Sequence, residues 1–444
     1  MSSTVAPRCG RGSARHWAAR TATVIACLLT ACTAVALVPT SADAHPLSTT
    51  AILLDIGADH VTGELQLPLD RLAIALNQPL TAPVAARPAQ LDELRNYVAG
   101  HLSAGDATTG TPWAVSVTDA RIGAVDQVDH LLVHLALTPP RDAAGDLELH
   151  YDGIVHRLLS HRILVSSRPA GTDDAYTAVG VLDWQSQTLD VPRQGASAEQ
   201  GFLAAVSLGI HHIGEGADHL LFLLMLLLPA PLLARRGRWV RADDLSRQVR
   251  RTVHVVTAFA VGHSLTLALA ALGYISVPTR VVESLVAVSI LVSGVHAVRP
   301  IVRGGEVWIA GGFGLMHGLA FAALLGRLDL SRSSLVTELL GFNLGIELTQ
   351  LLVVALVMPS LVILSRSRAY PLVRTSLAGL GIILAVGWLA QRTAVIDTDP
   401  LEGISDALVD HPLAVPAVLA LAALRVARPR RLRARSRTPV TTSE

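Results

Sequence analysis

The stretch that decides the fold is Gly209-Ile210-His211-His212-Ile213-Gly214-Glu215-Gly216-Ala217-Asp218-His219-Leu220-Leu221-Phe222-Leu223-Leu224. It places three histidines and two acids within nine residues, directly before the apolar run 220–228. Placing a charged side chain at the centre of the bilayer costs about 2.5–3.5 kcal/mol on insertion scales, so such residues are rare there unless they have a function. Imidazole and carboxylate together form a ligand set for divalent metal ions. The stretch therefore predicts a membrane protein that handles a metal ion.

The composition of the whole chain also favours a membrane protein. The 444 residues are 51% hydrophobic and only 16% charged, and the mean hydropathy is +0.47, which is too apolar for an ordinary soluble protein. The net charge of +1 gives no indication of a nucleic-acid partner. The chain contains no lysine, which excludes a Walker A loop. Its cysteines are confined to Cys9, Cys27 and Cys32 and its methionines are few, so nitrogen and oxygen ligands are expected rather than sulfur.

Residues 1–44 have the pattern of a secretory signal peptide. A basic region with four arginines precedes a largely apolar segment at 21–38, and Ala42-Asp43-Ala44 fits a cleavage site. Two alternatives stay open, namely an uncleaved first transmembrane helix and lipoprotein processing at Leu29-Thr30-Ala31-Cys32. Cleavage after Ala44 would make His45 the first residue, which would either chelate a metal with its own α-amine or simply begin the first strand.

Residues 45–197 are expected to form an extracellular, all-β, sandwich-like domain. Alternation of apolar and polar residues predicts half-buried strands at 50–56, 61–67, 114–118, 131–137, 147–151, 163–167 and 178–182. One amphipathic helix is predicted at 90–102. The histidines of this region, His101 and His156 among them, are scattered along the sequence. Each one taken alone is more typical of a surface or strand-facing residue than of a metal ligand.

Residues 201–427 are expected to form an α-helical polytopic membrane domain with six to seven transmembrane helices. Hydropathy predicts spans at 201–228, 252–273, 281–298, 307–325, 335–358, 375–390 and 412–427, of which the last is short enough to be re-entrant or interfacial. Arginines concentrate in loops 235–251, 299–305 and 365–374 and in the basic tail 428–444, whereas loop 393–411 is acidic. Loop 326–334 does not fit this pattern, because it carries two arginines although it is predicted to lie outside. The positive-inside rule then predicts a multi-pass protein of the cell membrane, with residues 45–197 outside and the C-terminus in the cytoplasm.

Polar residues inside the predicted spans are expected to meet in one chamber near the bilayer centre. At about 100° per residue, His212, Glu215 and His219 share one helical stripe, and His211 and Asp218 share the stripe beside it. Three glycines among them permit close helix approach or a local opening of the helix. The alternative is a polar network that holds helices together without any ion. The candidate metal ligands are His212, Glu215, Asp218, His219, His263, His317 and Glu347.

A metal site of this composition would be sensitive to pH. It would bind the ion through neutral imidazole and ionised carboxylate, so binding should weaken as the pH falls through the histidine range. A conduit would use fewer donors at any moment than a fixed site, because the ion must be able to leave.

Several motifs, in this order along the chain, resemble the HupE/UreJ family of membrane proteins, whose characterised members are nickel permeases. The strongest is His212, then five residues, then Asp218-His219. The longer branch of that family, with an N-terminal extracellular domain, shows versions similar to Phe259-Ala260-Val261-Gly262-His263-Ser264-Leu265-Thr266-Leu267, Gly314-Leu315-Met316-His317-Gly318 and Phe342-Asn343-Leu344-Gly345-Ile346-Glu347. The resemblance covers 201–391 well and 45–70 loosely. It implies Ni²⁺ uptake for hydrogenase or urease maturation, with His212, Asp218 and His219 as candidate ligands. Compact nickel permeases carry two histidines in a second motif, where this chain has only His317.

The hypothesis from the sequence is a secondary permease for a divalent transition-metal ion, with Ni²⁺ implied by the resemblance, and not an enzyme. No permanently bound cofactor is expected; the expected partners are the lipid bilayer and the ion, and an extracellular protein partner is left open. The rival interpretation is a membrane-anchored sensor or scaffold whose extracellular domain binds a partner and whose buried polar residues are only structural. A zinc hydrolase is a third interpretation, but Glu215 lacks the His-Glu-x-x-His spacing.

Overall fold

The computed structural model describes residues 49–427, apart from 126–127, 142–144, 159–160, 173, 215, 243, 276, 303–304, 320–331, 394 and 397–399. The predictions for the signal peptide 1–44, for His45, for Glu215 and for the tail 428–444 therefore lie outside the described residues. Within the described part, a region rich in strands comes first and a bundle of apolar helices follows.

The alternating segments of the first region form two sheets, which together we call the sheet domain. The larger sheet has six strands in the order β4-β5-β2-β1-β7-β8, and the smaller has three in the order β3-β6-β9. Neighbouring strands are antiparallel except for β1 and β7, which run parallel. The strands are β1 (Thr50–Ile56), β2 (Val61–Pro68), β3 (Leu102–Asp106), β4 (Ala114–Val125), β5 (Val128–Thr138), β6 (Leu147–Tyr151), β7 (Ile163–Pro169), β8 (Thr177–Leu182) and β9 (Thr188–Val191).

The two sheets enclose one apolar core, which confirms the sandwich-like prediction. Ile52 and Leu65 enter this core from the larger sheet, and Leu149 and Tyr151 enter it from the smaller. The expectation of an all-β domain needs one correction, because helices α1 (Leu69–Leu76), α2 (Ala82–Ala85) and α3 (Pro88–His101) follow β2. Only α3 was predicted. The first two helices are too short to show a clear helical period in the sequence.

The helical part begins directly after the sheet domain. Its helices are α4 (Ala198–Gly214), α5 (Ala217–Leu227), α6 (Leu245–Ala271), α7 (Thr279–Val298), α8 (Glu306–Gly318), α9 (Arg332–Leu364), α10 (Tyr370–Arg392), α11 (Glu402–Asp410) and α12 (Ala414–Ala427). A two-stranded hairpin, β10 (Leu232–Arg235) and β11 (Arg238–Arg241), lies between α5 and α6. Neither this hairpin nor α11 was predicted, since both lie in segments that read as charged loops.

Four of these helices are long and apolar enough to cross a membrane, which confirms a helical membrane protein. They comprise residues Ser246–Ala271, Arg280–Val298, Leu335–Leu364 and Tyr370–Arg392. The predicted span 201–228 is instead two helices, α4 and α5, and Gly216 between them is not helical. The predicted span 307–325 is helical only as far as Gly318, and residues 320–331 lie outside the described residues. The last predicted span corresponds to α12, a shorter apolar helix.

The sheet domain packs directly on the helices α4 and α9. Leu53, Leu164 and Ala178 of the sheet domain share an apolar cluster with Leu208 of α4 and Phe342 of α9. The backbone N–H of Ala178 donates a hydrogen bond of 3.3 Å to Oε1 of the buried Glu338 on α9. This interface fixes one end of the bundle against the sheets.

The opposite end of the bundle carries the hairpin β10–β11, and we call it the arginine-rich end. Trp239 of the hairpin donates through Nε1 to the carbonyl of His296 near the end of α7, at 3.0 Å. The Tyr370 hydroxyl at the start of α10 donates to Leu228 O, and the Arg374 guanidinium donates to Ala297 O and Val298 O. The predicted arginine-rich loops 235–251, 299–305 and 365–374 thus lie at one end of the molecule.

Glycines allow two helix pairs to approach at backbone distance. A Cβ at Gly209 of α4 would overlap Phe342 O of α9, and one at Gly314 of α8 would overlap Phe259 O of α6. Small residues at such positions are typical of helix contacts in membranes, where close backbone packing replaces the hydrophobic effect. These contacts set the spacing of the four helices that carry the polar residues described next.

Candidate metal-binding site

The break between α4 and α5 creates a helix N-terminus at the polar stretch. Gly216 is the N-cap, with an extended backbone at φ −78° and ψ 99°, and Asp218 lies in the first turn. The stripe predicted for a continuous helix over 212–219 does not form as such, because the helix is interrupted. His212 and His219 nevertheless meet across the break, with ring centroids 4.5 Å apart.

Three imidazoles converge at this break. They belong to His212 at the end of α4, His219 in the first turn of α5, and His263 in the middle of α6. One nitrogen of each lies within 4.8 Å of the others. His219 and His263 are buried, at 5% and 0% exposure. Converging, buried imidazole nitrogens are the commonest nitrogen ligands of transition metals in proteins.

Asp218 orients the His219 ring rather than joining the three imidazoles. Its Oδ1 atom accepts hydrogen bonds from the backbone N–H of His219 and from His219 Nδ1, both at 2.8 Å. Because a carboxylate only accepts, Nδ1 carries the proton and the lone pair is on Nε2. No described residue donates to or accepts from His219 Nε2, which is buried. A carboxylate behind a histidine in this way is typical of metal sites, where it fixes the tautomer and raises ligand basicity.

His263 is the most unusual member of the group. Both of its ring nitrogens are buried, and neither has a hydrogen-bond partner among the described residues. Burying a polar group without a hydrogen bond costs about 1–3 kcal/mol by protein mutational data. Two such groups on one side chain are therefore costly unless something else meets them.

His317 lies beside the three imidazoles with its own orienting partner. Its ring centroid is 5.2 Å from that of His219, and its Nε2 is 2.8 Å from Ser289 Oγ on α7. The Ser289 hydroxyl donates its proton to Val286 O at 2.7 Å. Ser289 Oγ must therefore accept from His317 Nε2–H, which leaves the lone pair on the buried Nδ1, an atom with no partner among the described residues.

The remaining predicted ligands lie apart from this group or outside the described residues. Glu347 accepts a hydrogen bond from Thr257 Oγ1 at 3.2 Å, and it does not belong to the group of converging ligand atoms. Glu215 lies outside the described residues. His211, the second histidine of the stretch, turns toward the sheet domain, where Nδ1 donates to Ser207 O at 2.7 Å and Nε2 lies 3.8 Å from Asp183 Oδ2.

Two polar groups beside the imidazoles were not among the metal ligands predicted from the sequence. Ser289 was seen only as part of an apolar span, and nothing in its spacing indicates the contact with His317. Gln350 of α9 lines a small cavity together with His219, and its buried Oε1 has no partner among the described residues. In the sequence, Gln350 shares a helical face with Asn343 and Glu347, and this spacing predicts a polar group at the same depth.

A larger cavity of about 360 Å³ lies between the imidazoles and the arginine-rich end. Met316 and Phe313 line its inner part, and Trp239, His296 and the ion pair Arg251–Glu306 line its outer part. Leu226 and Val256 line both this cavity and the small cavity beside His219. Only a thin apolar wall thus separates the imidazoles from a space that leads toward the arginine-rich end.

Aromatic rings complete this wall. The rings of Phe222 and Phe259 have centroids 4.9 Å apart, and Phe313 meets Phe222 edge-on at 5.8 Å. Phe222 also contacts the His317 ring at 4.9 Å. The imidazoles therefore border an apolar surface on this side, which strengthens any electrostatic interaction with a cation there.

Comparison with known families agrees with this architecture. Residues 187–392, which include all the helices that carry the imidazoles, match the family model described as HupE / UreJ protein. Residues 187–392 therefore form a HupE/UreJ domain. The resemblance seen in the sequence is thereby confirmed over these residues, and the family match suggests a metal-transporter-like membrane protein. No curated protein and no solved structure matches the chain.

Proposed function

We propose that the HupE/UreJ domain conducts a divalent transition-metal ion across the membrane, with Ni²⁺ as the ion that the family resemblance implies. His212, His219 and His263 bind the ion during passage, and His317 is the next ligand on the way to the arginine-rich end. Asp218 and Ser289 position two of these rings. The sheet domain faces the outside and the arginine-rich end faces the cytoplasm, as the positive-inside rule indicates.

The observation that carries the proposal is the state of His263. A purely structural histidine at 0% exposure would have its nitrogens hydrogen-bonded, whereas neither nitrogen of His263 has a partner in the described structure, and one of them lies within 4.8 Å of nitrogens of His212 and His219. A cation bound between the rings would satisfy one nitrogen of His263 together with one nitrogen each of His212 and His219. Nitrogen donors without sulfur suit Ni²⁺ among the borderline divalent metals.

The spacing of the ligand atoms suits a transported ion. Two imidazole nitrogens on one metal ion lie about 3.0–3.4 Å apart, given metal–nitrogen bonds of about 2.0–2.1 Å. The three nitrogens here lie within 4.8 Å of one another, so the nitrogens must approach each other by at most about 1.4–1.8 Å to bind one ion. A site that binds only after closing holds its ion less tightly than a preformed cage, which favours release.

The test is Ni²⁺ uptake into liposomes that contain the full chain and carry an inside-negative potential. His263→Ala should abolish uptake, because it removes the ligand with two unsatisfied nitrogens. The matched control is His254→Ala, since His254 lies on the same helix but is exposed. His254→Ala should unfold at the temperature of the wild-type protein, and His263→Ala, at a buried site, should keep the helical content of the wild type and unfold in one cooperative transition.

The result that contradicts the proposal is uptake by the His263→Ala variant at the wild-type rate. Folded wild-type protein without any uptake, combined with binding of an external protein to the sheet domain, would instead favour the sensor or scaffold interpretation. Loss of uptake in both variants would also count against the proposal, because it would place the effect outside the buried cluster.

A further inference from the structure

A polar contact joins the sheet domain to α4 directly beside the three imidazoles, and the proposed function does not use it. Asp183 is the residue that follows β8, and His211 directly precedes His212 at the end of α4. His211 Nε2 lies 3.8 Å from Asp183 Oδ2. A residue of the sheet domain is thus in contact with the immediate neighbour of a proposed ligand.

The two atoms that meet in this contact are both acceptors when the imidazole is neutral. His211 Nδ1 donates to Ser207 O at 2.7 Å, so the lone pair of the neutral ring is on Nε2. Asp183 Oδ1 accepts from the backbone N–H groups of Gln185 and Ser186, each at 2.7 Å. No described residue donates a hydrogen bond to Oδ2. The separation of 3.8 Å is too long for a hydrogen bond between the two side chains.

The separation of these two atoms lies within the span of one metal ion. Transition-metal bonds measure about 2.0–2.1 Å to imidazole nitrogen and about 2.0–2.2 Å to carboxylate oxygen. Two such ligand atoms on one ion lie about 2.8–3.5 Å apart, for bond angles between a right angle and the tetrahedral angle. The atoms here are 3.8 Å apart, so they need to approach by only about 0.3–1 Å. This approach is smaller than the largest one that the three imidazoles require.

The pair is held in place and is reached by solvent. The backbone N–H of Asp183 donates to Ser186 O at 2.9 Å, which closes a turn around the carboxylate, and the His211 ring is fixed to its own helix through Ser207. Both ligands are therefore positioned before an ion arrives, as a preorganised site requires. The side chains of His211 and Asp183 are 32% and 11% exposed, so an ion from solution has access to them.

One positive charge lies close enough to weaken cation binding. Arg162 interacts electrostatically with Asp183, while its Nη1 donates to His161 O at 2.9 Å. The attraction of the carboxylate for a cation is reduced by this neighbour, because the guanidinium and the cation repel each other. An ion held in this way is released more easily, which a site on a conduction path requires.

We propose that Asp183 and His211 form an outer capture site, which takes a divalent transition-metal ion from solution before it reaches His212. Asp183 Oδ2 and His211 Nε2 bind the ion, and water occupies its remaining coordination positions. The inference rests on the proposed function for the direction of passage, from the sheet domain toward the arginine-rich end. It gives the sheet domain a part in uptake, because one of the two ligands belongs to that domain.

Asp183→Asn separates a metal ligand from a purely structural contact. The amide oxygen of the new side chain still accepts from Gln185 and Ser186, and its NH₂ group donates to His211 Nε2, so the contact between the domains is kept. The carboxylate ligand, in contrast, is lost. In liposomes that contain the full chain, the KM for Ni²⁺ uptake should rise at least about tenfold, since removing even an orienting residue weakens metal sites about 10–100-fold. The maximal rate should stay unchanged, because the three imidazoles still act at saturating Ni²⁺.

His211→Gln should raise the KM to a similar extent, and the double variant should raise it little further, because both residues bind the same ion. The matched control is His60→Gln, an exposed histidine elsewhere in the sheet domain, which should keep the wild-type KM. The inference is overturned if Asp183→Asn takes up Ni²⁺ with the wild-type KM. A lower maximal rate at an unchanged KM also overturns it, because the contact would then act only through the structure.

A binding measurement keeps this inference distinct from the proposed function. Full-length His263→Ala protein, purified in detergent without a polyhistidine tag and freed of metal by a chelator, should still bind one Ni²⁺ ion in equilibrium dialysis. Adding Asp183→Asn to this variant should remove that ion. Equal Ni²⁺ binding by the two proteins would overturn the capture site. If the wild type takes up no Ni²⁺ but Asp183→Asn removes a bound ion, the metal site stands and the proposed conduction fails.

Discussion

The tautomers of His219 and His317 are each set by one neighbouring residue. Asp218 leaves the lone pair of His219 on Nε2, and Ser289 leaves that of His317 on Nδ1. The position of the lone pair decides which nitrogen of each ring can bind a metal ion. Changing an orienting residue should therefore alter metal affinity without removing any ligand.

Ser289→Ala tests this idea at one hydrogen bond. His317 Nε2–H would lose its acceptor and the ring would be free to rotate, so the KM for Ni²⁺ uptake should rise about 10–100-fold. The matched control is Ser293→Ala, one turn further along α7. Ser293 is also buried, but its Oγ has no partner in the described structure, so the KM should stay unchanged. An equal rise of KM in both variants would show that only the packing of α7 matters.

The residues of the site could be predicted in part. The depth and spacing of His212, His219, His263 and His317 indicated that they would meet, and the rings of the four lie next to one another in the structure. The partners of the acidic residues could not be predicted. Asp218 accepts from its own neighbour, and Glu347 accepts from Thr257 on another helix, because such contacts depend on how helices are rotated against each other.

The strands and helices whose hydrophobic periodicity is visible in the sequence were predicted, whereas those without visible periodicity were not. The bounds of β1 and β6 agree with the alternation at 50–56 and 147–151. The strands β3 and β9, with five and four residues, gave no usable alternation. The interruption between α4 and α5 follows from the glycines there, but only the structure separates a helix break from close helix packing.

The contact between α6 and α8 gives a test at this scale. Gly314→Ala would place a Cβ against Phe259 O, so the helices must separate and the midpoint of thermal unfolding should fall, in line with an overpacking cost of about 1–3 kcal/mol. Ni²⁺ uptake should fall as well, because His263 and His317 lie on these two helices. The matched control is Gly312→Ala on the same helix, where a Cβ meets no atom within 4 Å.

Gly312→Ala should leave the midpoint unchanged or raise it, since alanine is a better helix former than glycine by up to about 1 kcal/mol. Equal midpoints for the two variants would show that the backbone contact at Gly314 does not limit stability. Thermal unfolding in detergent, followed by loss of helical circular dichroism, makes this comparison.

At the scale of the whole molecule, the sheet domain and the helix bundle have separate apolar cores. The sheet domain contains a buried histidine of its own, His161, whose Nε2 lies 2.8 Å from Thr50 Oγ1. Burial, with smaller effects of Arg71 and Arg162, lowers the pKa of His161 to about 3. The unfolded chain would bind a proton there near the ordinary pKa of about 6.5.

The sheet domain should therefore lose stability in acid. Above pH 6.5, His161 is neutral in both states and the free energy of unfolding does not depend on it. As the pH falls from 6.5 toward 3, only the unfolded state binds a proton at His161, so the free energy of unfolding decreases. The slope is at most about 1.4 kcal/mol per pH unit. His161→Gln should flatten this dependence, whereas His60→Gln at an exposed site should not.

Urea unfolding at a series of pH values measures the effect, with strand β1 followed by pulsed hydrogen exchange at one common pH. The interpretation is wrong if His161→Gln and the wild type lose stability with the same slope between pH 6.5 and 4.

The junction between the sheets and the bundle has a practical consequence. Because the sheet domain shares a buried cluster with α4 and α9 and is bonded to Glu338, it is a rigid extension of the membrane part rather than a tethered appendage. An antibody fragment raised against its strands would therefore keep a fixed orientation to the helices. Such a fragment would serve as an alignment marker in electron microscopy and as a handle for immobilising the protein, at a distance from the arginine-rich end.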